Sequence, residues 1–219
     1  MTVIKTPKIW PEAALVEDFA ALLGEAAREQ SDIKGVIIKN TRLYGADFFR
    51  ASFKNSMFEN CRFEECDLSD CSFMDVVFKN CDFSNCRFER GYFKYCEFSC
   101  VKAMGSAFAE GRFTHVTFKD SNFQYANFDS AGLNFILAVN CDFCHSALSQ
   151  CRLKELSVKE CRFIETSFFK TRLRGLDFSD SELAAVQLSD TFEELEGACV
   201  NTWQAVELAR LLKVMIKDI

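Results

Sequence analysis

The sequence predicts an all-β solenoid with four sides over residues 31–190, closed by a helical segment at each end. Three observations predict it: an apolar residue at every fifth position, a small residue two places before it, and a weaker repeat every fourth pentad laid over both. Composition shows the same bias in bulk. The 219 residues include 24 Phe and 12 Cys but only four Tyr and two Pro, as when one unit is counted many times.

The apolar series starts at Ile38 and runs Leu43, Phe48, Phe53, Phe58, Phe63, Leu68, Phe73, Phe78, Phe83, Phe88, Phe93, Phe98, Ala103, Phe108, Phe113, Phe118 and Phe123. It goes on through Phe128, Leu133, Ala138, Phe143, Leu148, Leu153, Val158, Phe163, Phe168, Leu173, Phe178 and Leu183 to Leu188. These 31 positions hold 19 Phe, eight Leu, two Ala, one Ile and one Val, with no register slip. A period of five fits neither an amphipathic helix nor a strand. The expected core is this series, with Phe58, Phe63, Phe73, Phe78, Phe83, Phe88, Phe93, Phe98, Phe113, Phe118 and Phe123 at its centre. The small position is filled by residues such as Ala46, Ser56, Cys61, Cys66, Cys71, Cys81, Cys86, Gly91, Cys96, Ala126, Cys141, Cys151 and Cys161. The other three positions of each pentad are mainly polar and face outward.

Segments such as Cys66-Asp-Leu-Ser-Asp70, Cys81-Asp-Phe-Ser-Asn85 and Ala126-Asn-Phe-Asp-Ser130 resemble the unit of the pentapeptide-repeat family. The resemblance extends over the whole of 31–190 and implies a square, right-handed quadrilateral β-helix. Four-sidedness has independent support. With four pentads to a coil, every fourth pentad stacks, and one corner then reads Asn40, Asn60, Asn80, Cys100, Asp120, Asn140, a ladder suited to a turn. In that column the small position is instead bulky: Val36, Val76, Val116, Ile136, Leu156, Leu176. About eight coils at about 4.8 Å each give a rod on the order of 40 Å long.

Open coil ends expose strand edges and apolar stacks, so caps are expected. Residues 1–30 form an N-terminal segment in which Pro11 to Glu29 reads as a helix, with Leu15, Val16, Phe19, Leu22, Leu23 and Ala26 on one face. Residues 191–219 form the C-terminal segment. There Thr202 to Ile216 reads as a helix with Asn201 or Thr202 as N-cap and Trp203, Val206, Leu208, Ala209, Leu211, Leu212 and Met215 in helical spacing. This helix caps the last coil alone, or caps it and pairs with its twin in a homodimer. Ala103 and Ala138 interrupt the stacks; Val101 with Met104, and Ile136 with Leu137, are placed to fill the space.

No apolar leader or membrane-length apolar run is present, so a cytoplasmic location with reduced thiols is expected. Nine of the cysteines occupy the small inward position, where Cys acts as a compact hydrophobe. His115 and His145 fall in outward positions of different columns. Cys141-Asp-Phe-Cys144-His145 has metal-like composition, yet Cys141 is expected to face in and Cys144 out. No phosphate loop, nucleophile elbow or convergent carboxylate pair occurs. The expectation is a non-enzymatic protein without metal or cofactor, with no membrane contact and no direct nucleic-acid contact.

Function should then lie on the faces and ends. The column of Phe53 carries Lys54, Lys94, Arg112, Arg152, Lys154, Arg172 and Arg174 against Asp75 and Glu155, a net +5. The column of Phe48 nets −3, and its Asp47, Asp67, Asp70, Glu89, Glu110 and Asp129 are the candidate partner-binding acids. An outward, largely apolar stripe that reads Ile37, Met57, Val77, Glu97, Thr117, Leu137 is a second candidate contact or the seat of a terminal segment. Two functions follow. One is a protein-interaction scaffold with an unassigned partner. The other comes from similarity to the quinolone-resistance (Qnr-type) branch of the family, through the length, the unbroken solenoid and the closing segment with Trp203, Leu208, Leu211 and Leu212. That resemblance implies a DNA mimic that dimerises through its last helix and binds DNA gyrase or topoisomerase IV, a type II topoisomerase, protecting it from quinolones. The net charge of −6 for the whole chain, of which the solenoid carries only −2, is a sparse anionic surface for such a mimic.

Overall fold

The structure, a computed structural model, describes residues 3–48, 50–211 and 213–217. In chain order the elements are β1 (Ala14–Val16), α1 (Phe19–Glu29), β2 (Ile33–Lys34), β3 (Val36–Lys39), β4 (Arg42–Tyr44), β5 (Ser52–Glu59), β6 (Arg62–Glu64), β7 (Ser72–Lys79) and β8 (Tyr92–Ser99). They continue with β9 (Arg112–Lys119), β10 (Gly132–Val139), β11 (Arg152–Lys159), β12 (Arg162–Ile164), β13 (Glu182–Ala184), a 3-10 turn (Glu193–Leu195) and α2 (Thr202–Leu211).

The chain winds into a parallel β-solenoid of about eight turns. Phe53 pairs with Phe73, then Phe93, Phe113, Leu133 and Leu153, each four pentads beyond the last. Each eight-residue strand of the main sheet spans parts of two pentads and bends at its fourth residue. Asn55, Asp75, Tyr95, His115, Phe135 and Glu155 all take the left-handed conformation there, with φ between 50° and 56°. The other two sides are joined by short bridges such as Asp67 to Arg87 and Asp82 to Lys102. The Asn ladder closes one corner: Asn60 Nδ2 donates to Asn40 Oδ1 at 3.3 Å and Asn80 Nδ2 to Asn60 Oδ1 at 3.2 Å. Asn tolerates the positive φ of this corner better than most residues.

The interior is a ladder of rings. Phe73, Phe93 and Phe113 stack at 5.0 and 4.6 Å, nearly parallel, and neighbours round the coil meet edge-on, as Phe78 meets Phe83 at 88°. All eleven phenylalanines named above as the core centre are at most 2% exposed. The small position has a second role besides size. Cys61, Cys81 and Cys96 aim their thiols at the carbonyls of Ile38, Phe58 and Phe73 at 3.3–3.5 Å, and Ser106 donates to Phe83 O at 2.7 Å. Gly91 and Gly111 sit where a Cβ would meet the Phe93 and Phe113 rings at 2.8 and 2.7 Å. The ladder passes Ala103 without a change of register, with Val101 buried and Met104 half-buried beside it. At Ala138 an apolar cavity of about 30 Å³ remains, lined by Phe118, Leu133, Ile136, Phe143 and Leu156 among others.

Both ends differ in detail from expectation. The stretch expected to be one helix from Pro11 is a strand and a shorter helix. Ala14–Val16 adds to the sheet edge, pairing with Val36–Ile38, and leaves Leu15 62% exposed. Helix α1 starts only after Asp18, whose carboxylate accepts the Ala21 N–H at 2.9 Å as an N-cap. Its Phe19, Leu23 and Ala26 are buried against the first coil. At the other end backbone pairing runs past Leu188, with Leu173, Gly175 and Phe178 donating to the carbonyls of Glu194, Gly197 and Cys199 at 2.9 Å. Helix α2 ends at Leu211 rather than Ile216. Asn201 is its N-cap, in a reciprocal box with Gln204. Trp203 and Met215, expected on the apolar face, are 83% and 90% exposed. The buried contact is Gln204 instead, whose amide donates to the Phe178 and Ser181 carbonyls at 2.8 and 2.6 Å and so satisfies the last open strand edge. Val206, Leu208 and Leu211 are half-buried, and Leu212 lies outside the described residues.

Candidate interaction surface

Corresponding residues of successive coils stand directly above one another on the outside of the rod, so the order of charges along each column sets the surface field. In several columns that order alternates. Glu59 lies between Lys39 and Lys79 at 2.8 and 3.1 Å. Arg162 lies between Asp142 and Glu182 at 2.8 and 3.0 Å. Asp32 takes both Lys34 and Lys54, at 3.0 and 2.6 Å.

Of the six candidate acids, Asp67, Asp70 and Glu89 are likewise held in ion pairs. Asp47 and Asp67 are backbone partners on successive coils, acid over acid. Arg87 reaches both Asp67 at 3.3 Å and Glu89 at 3.1 Å. Arg90 grips Asp70 with two hydrogen bonds of 2.9 Å and holds its carboxyl below the usual range. Glu110 stands one coil beyond Arg90, and Asp129 accepts the Ser149 N–H at 2.9 Å. Arg50, Asp70, Arg90 and Glu110 therefore form an alternating column rather than a run of negative charge.

The opposite arrangement occupies the column of Phe53. Lys54 is neutralised by Asp32, but Arg112, Arg152, Lys154, Arg172 and Arg174 form no ion pair among the described residues, and all five are exposed. Lys94 lies 5.1 Å from the Tyr95 ring centre and Lys154 5.6 Å from that of Phe135. Arg172 and Arg174 follow Arg152 and Lys154 by one coil in this column, so like charge follows like charge in the sequence period. The backbone is discontinuous at the same place. Among the described residues no backbone hydrogen bond joins 151–160 to 171–180, because extended β11 faces a tightly turned coil that bonds onward to residues 194–199. One side chain bridges the gap: Thr171 Oγ1 accepts the Cys151 N–H at 2.8 Å.

A strap that sequence reasoning missed crosses another part of the surface. Residues 5–10 lie extended along the corner of Asn55, Asp75, Tyr95 and His115. Trp10 packs on Gly35, where a Cβ would lie 2.3 Å from its ring. Lys8 N–H donates to Asp75 at 2.9 Å, its carbonyl accepts Asn55 Nδ2 at 2.8 Å, and Lys5 N–H reaches His115 Nδ1 at 3.4 Å. His115 stacks between Tyr95 and Phe135 at 5.5 and 4.6 Å, and burial together with Lys5 and Lys94 lowers its pKa. The strap's one trace in the sequence is the run of aromatic residues where a corner normally carries Asn or Gly. It is anchored beside the Ile37, Met57, Val77 and Leu137 stripe, which is half-buried. His145 stacks on Tyr125 at 4.8 Å and faces Glu165 at 3.3 Å. Cys144, expected to face out, is 4% exposed, because the Asp142 side chain folds back to its N–H and covers it. No group of three or more potential metal ligands converges among the described residues, and no helix is long and apolar enough to cross a membrane.

No curated protein matches the chain by sequence. Two solved structures of trypsin-treated QnrB1 variants, described as a plasmid-mediated fluoroquinolone resistance protein, share the fold at 18% identity. One covers 83% of this chain and all of its own, with a TM-score of 0.53; the other covers 81% and 99%, with a TM-score of 0.51. Two family models match in sequence, one for pentapeptide repeats in nine copies over residues 33–82 and one for a pentapeptide-repeat region over residues 71–137. With the unbroken five-residue ladder these matches identify the chain as a member of the pentapeptide-repeat family.

Proposed function

We propose that the chain is a non-enzymatic interaction rod whose partner is a protein. The observation that carries this reading is the filled interior: stacked rings occupy the axis, so the chemistry of the chain lies on four flat outer sides. A rod of this kind offers a long rigid surface and little enclosed space, which suits recognition better than turnover. Cross-linking the tagged full-length chain in cells and identifying what it captures tests the reading. A defined protein recovered in stoichiometric amount supports it; no protein above the untagged control overturns it.

Protection of a type II topoisomerase is the second reading, favoured by the QnrB1-like fold over 83% of the chain. The alternating Arg50, Asp70, Arg90, Glu110 column weighs against it, since a DNA mimic needs sustained negative charge. Gyrase supercoiling in the presence of a fluoroquinolone, with and without the protein, decides this reading; rescue of supercoiling would establish it over the more general one.

A further inference from the structure

We propose that Arg152, Lys154, Arg172 and Arg174 form the docking site for an acidic, Asp/Glu-rich segment of the partner protein. This inference rests on the interaction-rod reading and names the chemistry of its partner. Three observations carry it. The first is a cluster of cations without ion pairs. In the Lys39–Glu59–Lys79 and Asp142–Arg162–Glu182 columns each cation meets a carboxylate on an adjacent coil, and Arg62, which stacks on Arg42, pairs with Glu64. Arg152, Lys154, Arg172 and Arg174 share one column and form no ion pair among the described residues, and their mutual repulsion is relieved by bound anions.

The second observation is the backbone. The same two coils lack a hydrogen-bonded ladder between 151–160 and 171–180 among the described residues and are linked there by the Thr171 hydroxyl. A polyanion bridging both coils would supply the cohesion that the backbone does not. The third is extent. The four residues lie at alternate positions of two successive coils, a patch about 5 by 7 Å between backbone positions. That matches a few carboxylates on an extended peptide. Nucleic acid fits less well, because the chain as a whole carries −6 and the other three sides are net acidic, so no basic tract continues round the rod from this side.

The test is fluorescence anisotropy of a fluorescein-labelled deca-glutamate peptide with the full-length chain at low and at physiological salt. Binding is expected, weakening as salt rises. It should fall at least tenfold in Arg152→Glu/Arg172→Glu and in Lys154→Glu/Arg174→Glu, and stay within twofold in Lys119→Glu on the neighbouring side. Bound peptide should also raise the melting temperature of the parent and not of the double variants. Circular dichroism confirms that each variant is folded. No binding, or equal binding by the parent and both double variants, overturns the proposal, as does tighter binding of single-stranded or duplex DNA of equal charge. A captured partner that deca-glutamate does not displace would refute the docking site while leaving the interaction rod standing; failure to capture any partner would refute the rod itself.

Discussion

The ring of Phe19 lies 6.1 Å from that of Phe63, nearly parallel at 12°. It also touches Phe48, Phe53 and Phe58 at 5.8–6.2 Å, so one side chain from α1 meets one phenylalanine from each side of the rod. Phe19 is thus an axial plug that continues the ring stack after the coil has ended. Phe19→Ala would open a cavity on the axis and cost about 3–5 kcal/mol. Urea unfolding gives the magnitude, and hydrogen exchange should quicken first at the amides of Ile38 to Phe63. Uniform exchange along the whole rod would show that the plug is not local.

The register of the ladder is tested from inside and outside together. Phe83→Ala and Phe123→Ala, on either side of Ala103, should each cost about 3–5 kcal/mol, because both rings are fully buried. Lys94→Ala and Arg112→Ala should stay within about 0.5 kcal/mol. Denaturant midpoints at constant slope measure both pairs. Comparable losses would contradict the inward and outward assignment.

How much was legible beforehand follows from how each contact is encoded. The phenylalanine ladder was visible because every contact recurs with each pentad and again with each coil, so each coil restates the rule. The start of α1 was not. Leu15 and Val16 fit a helical face as well as a strand, and only the pairing with Ile37 and Ile38, on the far side of α1 in the chain, favours the strand. Gln204 was unreadable for a different reason. A polar residue is buried there because two backbone carbonyls at the coil end need a donor, and that need exists only in the assembled rod. The strap joins Lys5 to the distant His115 with no period to announce it. The basic side could be tallied from the sequence, but its missing ion pairs and missing ladder required the coils to be stacked.

Thiol chemistry distinguishes structural from accessible cysteines. Burial pushes Cys71, Cys96 and Cys151 up to about 12, whereas Cys100 and Cys199 are exposed. A disulfide-exchange reagent at pH 8 should therefore titrate two thiols rapidly in the native protein, the remainder appearing only on unfolding. Rapid reaction of Cys71 or Cys96, located by mass spectrometry, would contradict the packed small position.

The gap at Ala138 should accept a larger side chain. The apolar cavity of about 30 Å³ beside it is bounded by side chains of Phe118, Leu133 and Phe143. Ala138→Val is expected to stabilise the protein by about 0.5–1 kcal/mol through cavity filling. The contrasting change, Gly111→Ala, adds a Cβ 2.7 Å from the Phe113 ring and 2.8 Å from the Phe108 carbonyl, and should cost about 1–3 kcal/mol. Thermal melts of the two variants should move in opposite directions; a loss for both would mean the cavity is too rigid to use.

Glu194 makes the C-terminal cap sensitive to acid. It is 2% exposed, and its carboxylate accepts the N–H groups of Lys170 and Ser189 at 2.7 and 3.0 Å and the Ser189 hydroxyl at 2.9 Å. Burial alone would raise its pKa, but these donors outweigh burial and lower it from the ordinary 4.5. A carboxyl whose folded pKa is depressed contributes stability that is fully present above its unfolded value and is lost as pH falls through the folded one. The contribution is therefore complete at pH 7 and declines below about pH 4.5. Glu194→Gln should cost about 1–3 kcal/mol at pH 7, where a charged acceptor is lost. The gap between parent and variant should close as the pH is lowered through that range. Denaturant unfolding at pH 7, 5, 4 and 3 measures it, and a gap that stays constant across the series would mean that Glu194 acts through its size and not its charge.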